Sequence, residues 1–333
     1  MGKTYGMQTP IIDVRDLAKR FGPLEAVRGV TFGVAGGEIF GFLGPNGAGK
    51  TTTIKMLATL LRPTSGRASL AGYDVVAHPG DVRRSIGIVF QDPSLDNRLT
   101  AEQNLRFHAM LYGVPPREIE PRIADVLAMV DLAERRRALV ATYSGGMKRR
   151  LEIARGLLHR PRVLFLDEPT LGLDLQTRNR IWEYVVDLRR REGVTVFMTT
   201  HYIEESAHCD RIAIIDGGRI AALDTPDALR RQVGGDVITI TSPDAPRLAR
   251  EIDARFGGGA RTMDGRVIVE QERGTEFVPR VAAAFPSLVT AVAVKRPTLD
   301  DVFLKLTGHE IRDESASATD QLRTVMRAWG GRR

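Results

Sequence analysis

Three observations predict an α/β mononucleotide-binding fold followed by a small second domain of α+β type. A continuous apolar run from 38, EIFGFL, ends in the glycine-rich loop Gly44-Pro45-Asn46-Gly47-Ala48-Gly49-Lys50-Thr51-Thr52, and a helix-spaced segment follows it. Further apolar runs of strand length stand at 86–90, 163–167, 194–199 and 211–215 with helical stretches between them, the pattern of a mostly parallel sheet covered on both faces. Near the Gly234-Gly235 pair the texture changes, and strand and helix patterns alternate again.

Taken in order, residues 1–10 are a short polar tail, and the first, larger domain spans 11–232. It begins with strand-like segments at 11–16 and 27–34, joined through Phe21-Gly22-Pro23, which form an antiparallel edge region. Between about 93 and 155 the spacing is mostly helical, a helical subdomain inserted into the α/β frame. The small domain at 235–308 reads β-α-β-α-β, with strands at 237–241, 266–270 and 289–294 and helices around 245–256 and 275–285. A helix at 298–307 follows. Its Leu299, Val302, Phe303 and Leu306 make one apolar stripe, to be buried on its own domain or on a facing subunit. The polar tail at 309–333, with a possible helix at 320–329, is expected to be flexible.

Composition narrows the classes. The apolar fraction of 43% suits a globular chain. The formal charge of +7 fits nucleic acid, an anionic membrane face or a polyphosphate, and charge alone does not choose. A single cysteine, Cys209, excludes an internal disulfide and a cysteine-rich metal cluster, which suits a reducing compartment. The N-terminal residues lack a signal-peptide core, and no apolar run approaches the roughly 20 residues that span a bilayer. Any membrane role must therefore come through a partner chain.

The loop at 44–52 lies where phosphate binding needs it, after a buried strand and opening a helix. Freed backbone N–H groups and the helix N-terminus converge on the phosphates. Lys50 then neutralises phosphate oxygens and the Thr51 hydroxyl can ligate Mg²⁺. The strand VLFLD delivers Asp167 and Glu168 at its C-terminal edge, where open α/β sheets bind ligands. Asp167 is the candidate for holding Mg²⁺, and Glu168 for polarising the attacking water as general base. The third element, Tyr143-Ser144-Gly145-Gly146-Met147-Lys148-Arg149-Arg150, opens a helix, with Ser144 as a natural N-cap.

With that third element the sequence resembles the ATP-binding cassette (ABC) family, whose signature reads close to LSGGQ ahead of the strand with the two acids. The resemblance makes the predicted fold an α/β P-loop NTPase of ABC-cassette type, and it covers about 11–230. It implies that Ser144, Gly145, Gly146 and Met147 face the nucleotide of a second copy. Tyr143 stands for Leu and Met147 for Gln, so a side-chain amide is lost while the backbone donors remain. It further implies that Phe21 stacks on adenine, that Gln91 contacts Mg²⁺ and senses the permease, that Asp174 lies in the loop joining the subunits, and that His201 contacts the γ-phosphate. ATP and Mg²⁺ are the implied cofactors.

Segments 95–114 and 297–308, with YSGGMKRR, resemble the daunorubicin-resistance type of exporter ATPase subunit. The function so implied is the ATP-hydrolysing motor of a membrane exporter for a drug, antibiotic or lipid-like compound, a homodimer held at the cytoplasmic face of the membrane by a separate permease. The alternatives are an import motor and a soluble ABC ATPase acting on nucleic acid or the ribosome. The long inserted coiled coils, zinc modules or second cassette of the soluble types are absent, so no nucleic acid is expected.

Overall fold

The structure, a computed structural model, describes residues 9–91, 94–257, 259–263 and 265–307. The expected flexible tail and the 320–329 helix lie outside the described residues, as does most of the 1–10 tail. The chain divides into two compact units, the first running to Leu223 and the second beginning at Asp224.

In the first unit, β1 (Ile12–Phe21) and β2 (Leu24–Val34) form a long antiparallel hairpin. After β3 (Ile39–Leu43) and α1 (Lys50–Leu57), the strands β4 (Ser65–Leu70) and β5 (Tyr73–Asp74) extend the hairpin into a sheet of order β2-β1-β4-β5. Helix α2 (Pro79–Ser85) leads into β6 (Ile86–Val89), and the expected helical subdomain follows as α3 (Ala101–Leu111), α4 (Pro116–Met129) and α5 (Gly145–Leu157). Thr100 starts α3 with a capping box: its hydroxyl accepts from Gln103 N, and the Gln103 side chain accepts from Thr100 N.

The α/β core is completed by β7 (Val163–Asp167), α6 (Leu175–Glu192), β8 (Thr195–Thr200), β9 (Arg211–Asp216) and β10 (Arg219–Asp224). The six-stranded sheet has the order β10-β9-β3-β8-β7-β6, and β3 pairs in parallel with both β8 and β9. Every residue of β3, β7 and β8 is buried, which is why these runs show no alternation of apolar with exposed polar positions. The rings of Phe32, Phe40, Phe42 and Phe197 pack against one another at centre distances of 5.5–6.0 Å. Cys209 is also buried, its Sγ 3.9 Å from Met198 Sδ.

The second unit starts with α7 (Pro226–Val233) and continues β11 (Asp236–Thr241), α8 (Ala245–Phe256), β12 (Arg261–Met263), β13 (Arg266–Gln271), α9 (Gly274–Ala284), β14 (Ala291–Lys295) and α10 (Leu299–Thr307). Its antiparallel sheet has the order β12-β13-β11-β14. The inward residues Ile238, Ile240, Val267 and Val269 pack on Leu248, Ile252, Phe277 and Val281 of the two helices. The arrangement is β-α-β-β-α-β, one strand more than the sequence pattern suggested. The extra strand, β12, is three residues long and wholly exposed, so it carries no alternation to read.

The division falls one helix ahead of the expected boundary. Helix α7, assigned by sequence to the cassette, buries Leu229 and packs on α10, and Lys305 Nζ donates to Gln232 O at 3.0 Å. In α10, Leu299, Val302 and Phe303 are buried, whereas Leu306 is 40% exposed. Most of the predicted stripe is thus covered inside its own unit.

Candidate functional site

Gly44 follows β3, and the loop turns back so that Gly49, at φ +103°, caps α1. A side chain at Gly49 would bring its Cβ to 2.5 Å from Ala26 O, so only glycine fits. Lys50, the first residue of α1, is nearly fully buried. Its Nζ donates to Gly44 O at 2.7 Å and Pro45 O at 3.1 Å, and lies 3.2 Å from Glu168 Oε1. The Thr51 hydroxyl donates to Asp167 Oδ1 at 3.3 Å, and Thr199 Oγ1 donates to the same oxygen at 2.5 Å.

Strand β7 ends in Asp167, and Glu168 takes the next position with φ +47°, a conformation uncommon for a residue with a side chain. The Glu168 N–H is held by Thr199 O at 3.2 Å and Thr199 Oγ1 at 3.1 Å. This turn aims the carboxylate between two partners, Lys50 and His201, whose Nδ1 lies 3.3 Å from Glu168 Oε2. Burial raises the carboxyl's pKa, but the hydrogen bond from His201 and the charge of Lys50 outweigh it, and Glu168 is held below its ordinary value. For Lys50, burial lowers the pKa and the Glu168 carboxylate only partly restores it. Glu168 is thus held in its anionic form, with Lys50 as its buried ion-pair partner.

A cavity of about 740 Å³ opens over these groups. Pro45, Asn46, Gly47 and Gly49 with Lys50, Thr51 and Thr52 form one wall, and Gln91, Glu168 and His201 face them. Gly44 and Ala48, in the same loop, are not part of the lining. Phe21 does not line the cavity either: it stands 46% exposed at the end of β1, with Lys19 Nζ 5.2 Å from its ring centre.

Ser144 caps α5 by accepting from Met147 N at 3.3 Å, and Ser144 and Gly145 are exposed. None of residues 144–147 lines the cavity. Asp174 caps α6, accepting from Thr177 N at 2.9 Å and from the Thr177 hydroxyl at 2.7 Å, bonds that hold its carboxyl below its ordinary pKa. Gly146 packs against that same Thr177, which joins the start of α5 to the start of α6.

Sequence reasoning missed two contributors. Tyr202 lines the cavity with its ring centre 4.1 Å from that of His201, and Thr199 holds both acids of the β7 turn. The signal for the second was present in the two threonines that end the run VTVFMTT.

The profile of the family described as ABC transporter matches residues 27–171. The daunorubicin resistance ATP-binding protein DrrA3 of Streptomyces coeruleorubidus is 39% identical over 317 residues, which cover 93% of this chain and all of that one. A Nod factor export ATP-binding protein I of Ralstonia nicotianae is 38% identical over 317 residues, covering 92% of this chain and 96% of its own. Among solved structures, a dimeric ATP-binding cassette in a post-hydrolysis state with ADP and Pi superposes with a TM-score of 0.59. It is 26% identical and covers 64% of this chain and 98% of its own length. A phosphate loop, paired acids and a capped signature helix, aligned with such relatives along nearly the whole chain, establish that it belongs to the ABC transporter family as an ATP-binding, ATP-hydrolysing subunit.

Proposed function

We propose that the chain is the motor of an export complex for an amphipathic, drug-like compound, working as a head-to-tail homodimer beneath a separate membrane permease. The observation that carries this reading is the split site: the phosphate loop, Glu168 and His201 share one cavity, while Ser144–Met147 stand outside it at an exposed helix N-terminus. A second copy turned head to tail brings its helix N-terminus over the γ-phosphate. Backbone donors and a partial positive charge then close the fourth side of the cavity.

When ATP enters, Lys50 exchanges Glu168 for phosphate oxygens and the loop N–H groups take the remaining anionic charge. Released from Lys50, Glu168 accepts the proton of the attacking water, and His201 holds the γ-phosphate side of the site. Asp174 fixes the loop between the copies, and Phe21 takes the adenine. The candidate ligands Thr51, Asp167 and Gln91 offer hard oxygens, and Thr51 and Asp167 already touch, which fits Mg²⁺. Thr51, Asp167 and Gln91 would hold it, and it would supply charge neutralisation on the phosphates. Among the described residues no cluster of three His, Cys, Asp or Glu could hold a metal.

Two features support a permease partner. No helix among the described residues is long and apolar enough to cross a membrane. The end of α3 exposes Phe107, Met110 and Leu111 at i, i+3 and i+4, an apolar patch suited to a partner's cytoplasmic helix. Export of a drug-like cargo follows the relatives, one named for daunorubicin resistance and another for Nod factor export. The test is isolation of the tagged chain from detergent-solubilised membranes of its own cells. A multi-span membrane protein is expected with it, and ATP-driven drug efflux from vesicles containing both chains. Recovery from the soluble fraction with nucleic acid and no membrane protein refutes the proposal.

A further inference from the structure

Arg149 reads in the sequence as one of three consecutive basic residues, Lys148-Arg149-Arg150, on a charged helix. In the structure it is buried, with every guanidinium N–H directed at an acceptor. Nε donates to Pro169 O at 2.6 Å, and Nη2 to Asp167 O at 3.1 Å and Glu168 O at 3.0 Å. Nη1 donates to Phe90 O at 2.5 Å and to Glu152 Oε2 at 3.1 Å. Four of the five acceptors are backbone carbonyls. Three belong to the turn that holds Glu168 at positive φ, and the fourth immediately precedes Gln91.

Glu152, one turn further along α5 and also buried, uses its other oxygen to accept from Ser94 N at 2.8 Å. The Arg149–Glu152 pair therefore grips the chain on both sides of Gln91 and, at the same time, the carbonyls of both acids at the end of β7. Both residues sit on the helix whose N-terminus is the Ser144–Met147 signature. A positive-φ carboxylate persists only where its surroundings dictate it. Here the Thr199 bonds fix the Glu168 N–H from β8, and Arg149 fixes its carbonyl from α5.

We propose that Arg149 is a positioning residue that sets the aim of Glu168 and makes the Gln91 segment, the signature helix and the catalytic turn move together. The proposal rests on the reading of Glu168 as the general base. Displacement of Gln91 by a permease, or of the signature helix by the other copy's nucleotide, is then transmitted through one guanidinium to the carboxylate that activates water. Lysine cannot take this place: its three donors radiate from one nitrogen, whereas the acceptors surround a planar fork.

The experiment uses the full-length chain. Arg149→Lys keeps the charge beside Glu152 and removes the fork, so kcat for ATP hydrolysis is expected to fall about tenfold while ATP affinity stays within about threefold, the split that marks a group acting only on the chemical step. In a Glu168→Gln background the same change is expected to alter residual hydrolysis by less than about twofold, because Arg149 acts through the carboxylate already removed. Arg149→Gln with Glu152→Gln is the second variant. It leaves no buried charge unpaired, so it folds even where lysine is not tolerated, and the same loss of kcat at preserved affinity is expected. Wild-type kcat in either folded variant, or a full additional loss in the Glu168→Gln background, overturns the role of Arg149. Wild-type hydrolysis by Glu168→Gln alone overturns instead the reading of the base.

Discussion

Glu168→Gln separates two roles proposed for one carboxylate. As base, Glu168 accepts the water's proton, and general base catalysis is worth about 10²–10⁴ in rate, so kcat should fall by at least about 10². As partner of Lys50, it occupies the cation that ATP needs. The 3.2 Å separation corresponds to an attraction of about 5 kcal/mol at an effective dielectric near 20, most of it offset by desolvation. If only a quarter opposes nucleotide entry, about 1.3 kcal/mol, its removal tightens ATP roughly tenfold. Loss of the negative charge facing the γ-phosphate acts in the same direction. The variant is therefore expected to bind ATP more tightly while hardly hydrolysing it, and to accumulate as an ATP-held dimer. Single-turnover hydrolysis, a nucleotide titration and size-exclusion chromatography with ATP measure the three outcomes. Hydrolysis near the wild-type rate, or weaker ATP binding alongside slow hydrolysis, refutes the assignment.

Other perturbations probe other parts of the molecule. Mixing Lys50→Ala subunits with Ser144→Arg subunits should restore hydrolysis that each parent lacks, since the mixed dimer regains one intact site; a mixture as inactive as its parents counts against sharing between copies. Gly146→Ala would place a Cβ 2.4 Å from Thr177 Cγ2, so it should slow ATP turnover by about tenfold or more while leaving nucleotide binding to the isolated subunit unchanged; equal turnover would show that the α5–α6 contact is not needed. His108 packs its ring 4.5 Å from that of Tyr112, and burial lowers its pKa from 6.5 to about 3. The neutral form is thus the folded form. Its stabilising contribution is complete above pH 6.5 and is lost as pH falls toward 3, so His108→Phe should flatten the acid side of the denaturation-midpoint profile, and an unchanged profile refutes this. Ending the chain after Leu223 should leave ATP affinity within about threefold, because every residue lining the cavity precedes that point, while dimer formation or transport declines. Full export by the shortened chain would mean that the second unit is dispensable.

The nucleotide half of the site was legible because its chemistry is written in short, local strings. Gly49 is dictated by a backbone approach, and Lys50 and Thr51 follow it on one turn; the two acids stand at the end of a strand whose burial makes it uniformly apolar. The capped helix start at Ser144 was legible for the same reason, since an N-cap is a single residue with a known preference. Contacts made across the fold leave no such string. Arg149 bonds to carbonyls 18 to 59 positions away, and carbonyls have no side-chain identity to read. The edge of the second unit was obscure for a different reason: α7 is amphipathic and could have covered either unit, and only its packing on α10 assigns it.

Cys209 gives the chain a practical property of its own. It is the sole thiol among 333 residues, and burial together with the nearby Glu205, Asp210 and Glu38 pushes its pKa far up, so almost none is thiolate at neutral pH. Maleimide dyes therefore find no native target on the folded subunit. A cysteine introduced at an exposed position such as Leu175, next to Asp174, becomes a single labelling point without prior removal of the natural one. Fluorescence energy transfer between two such subunits could then report closing and reopening in real time, with the Phe-lined core left as it is.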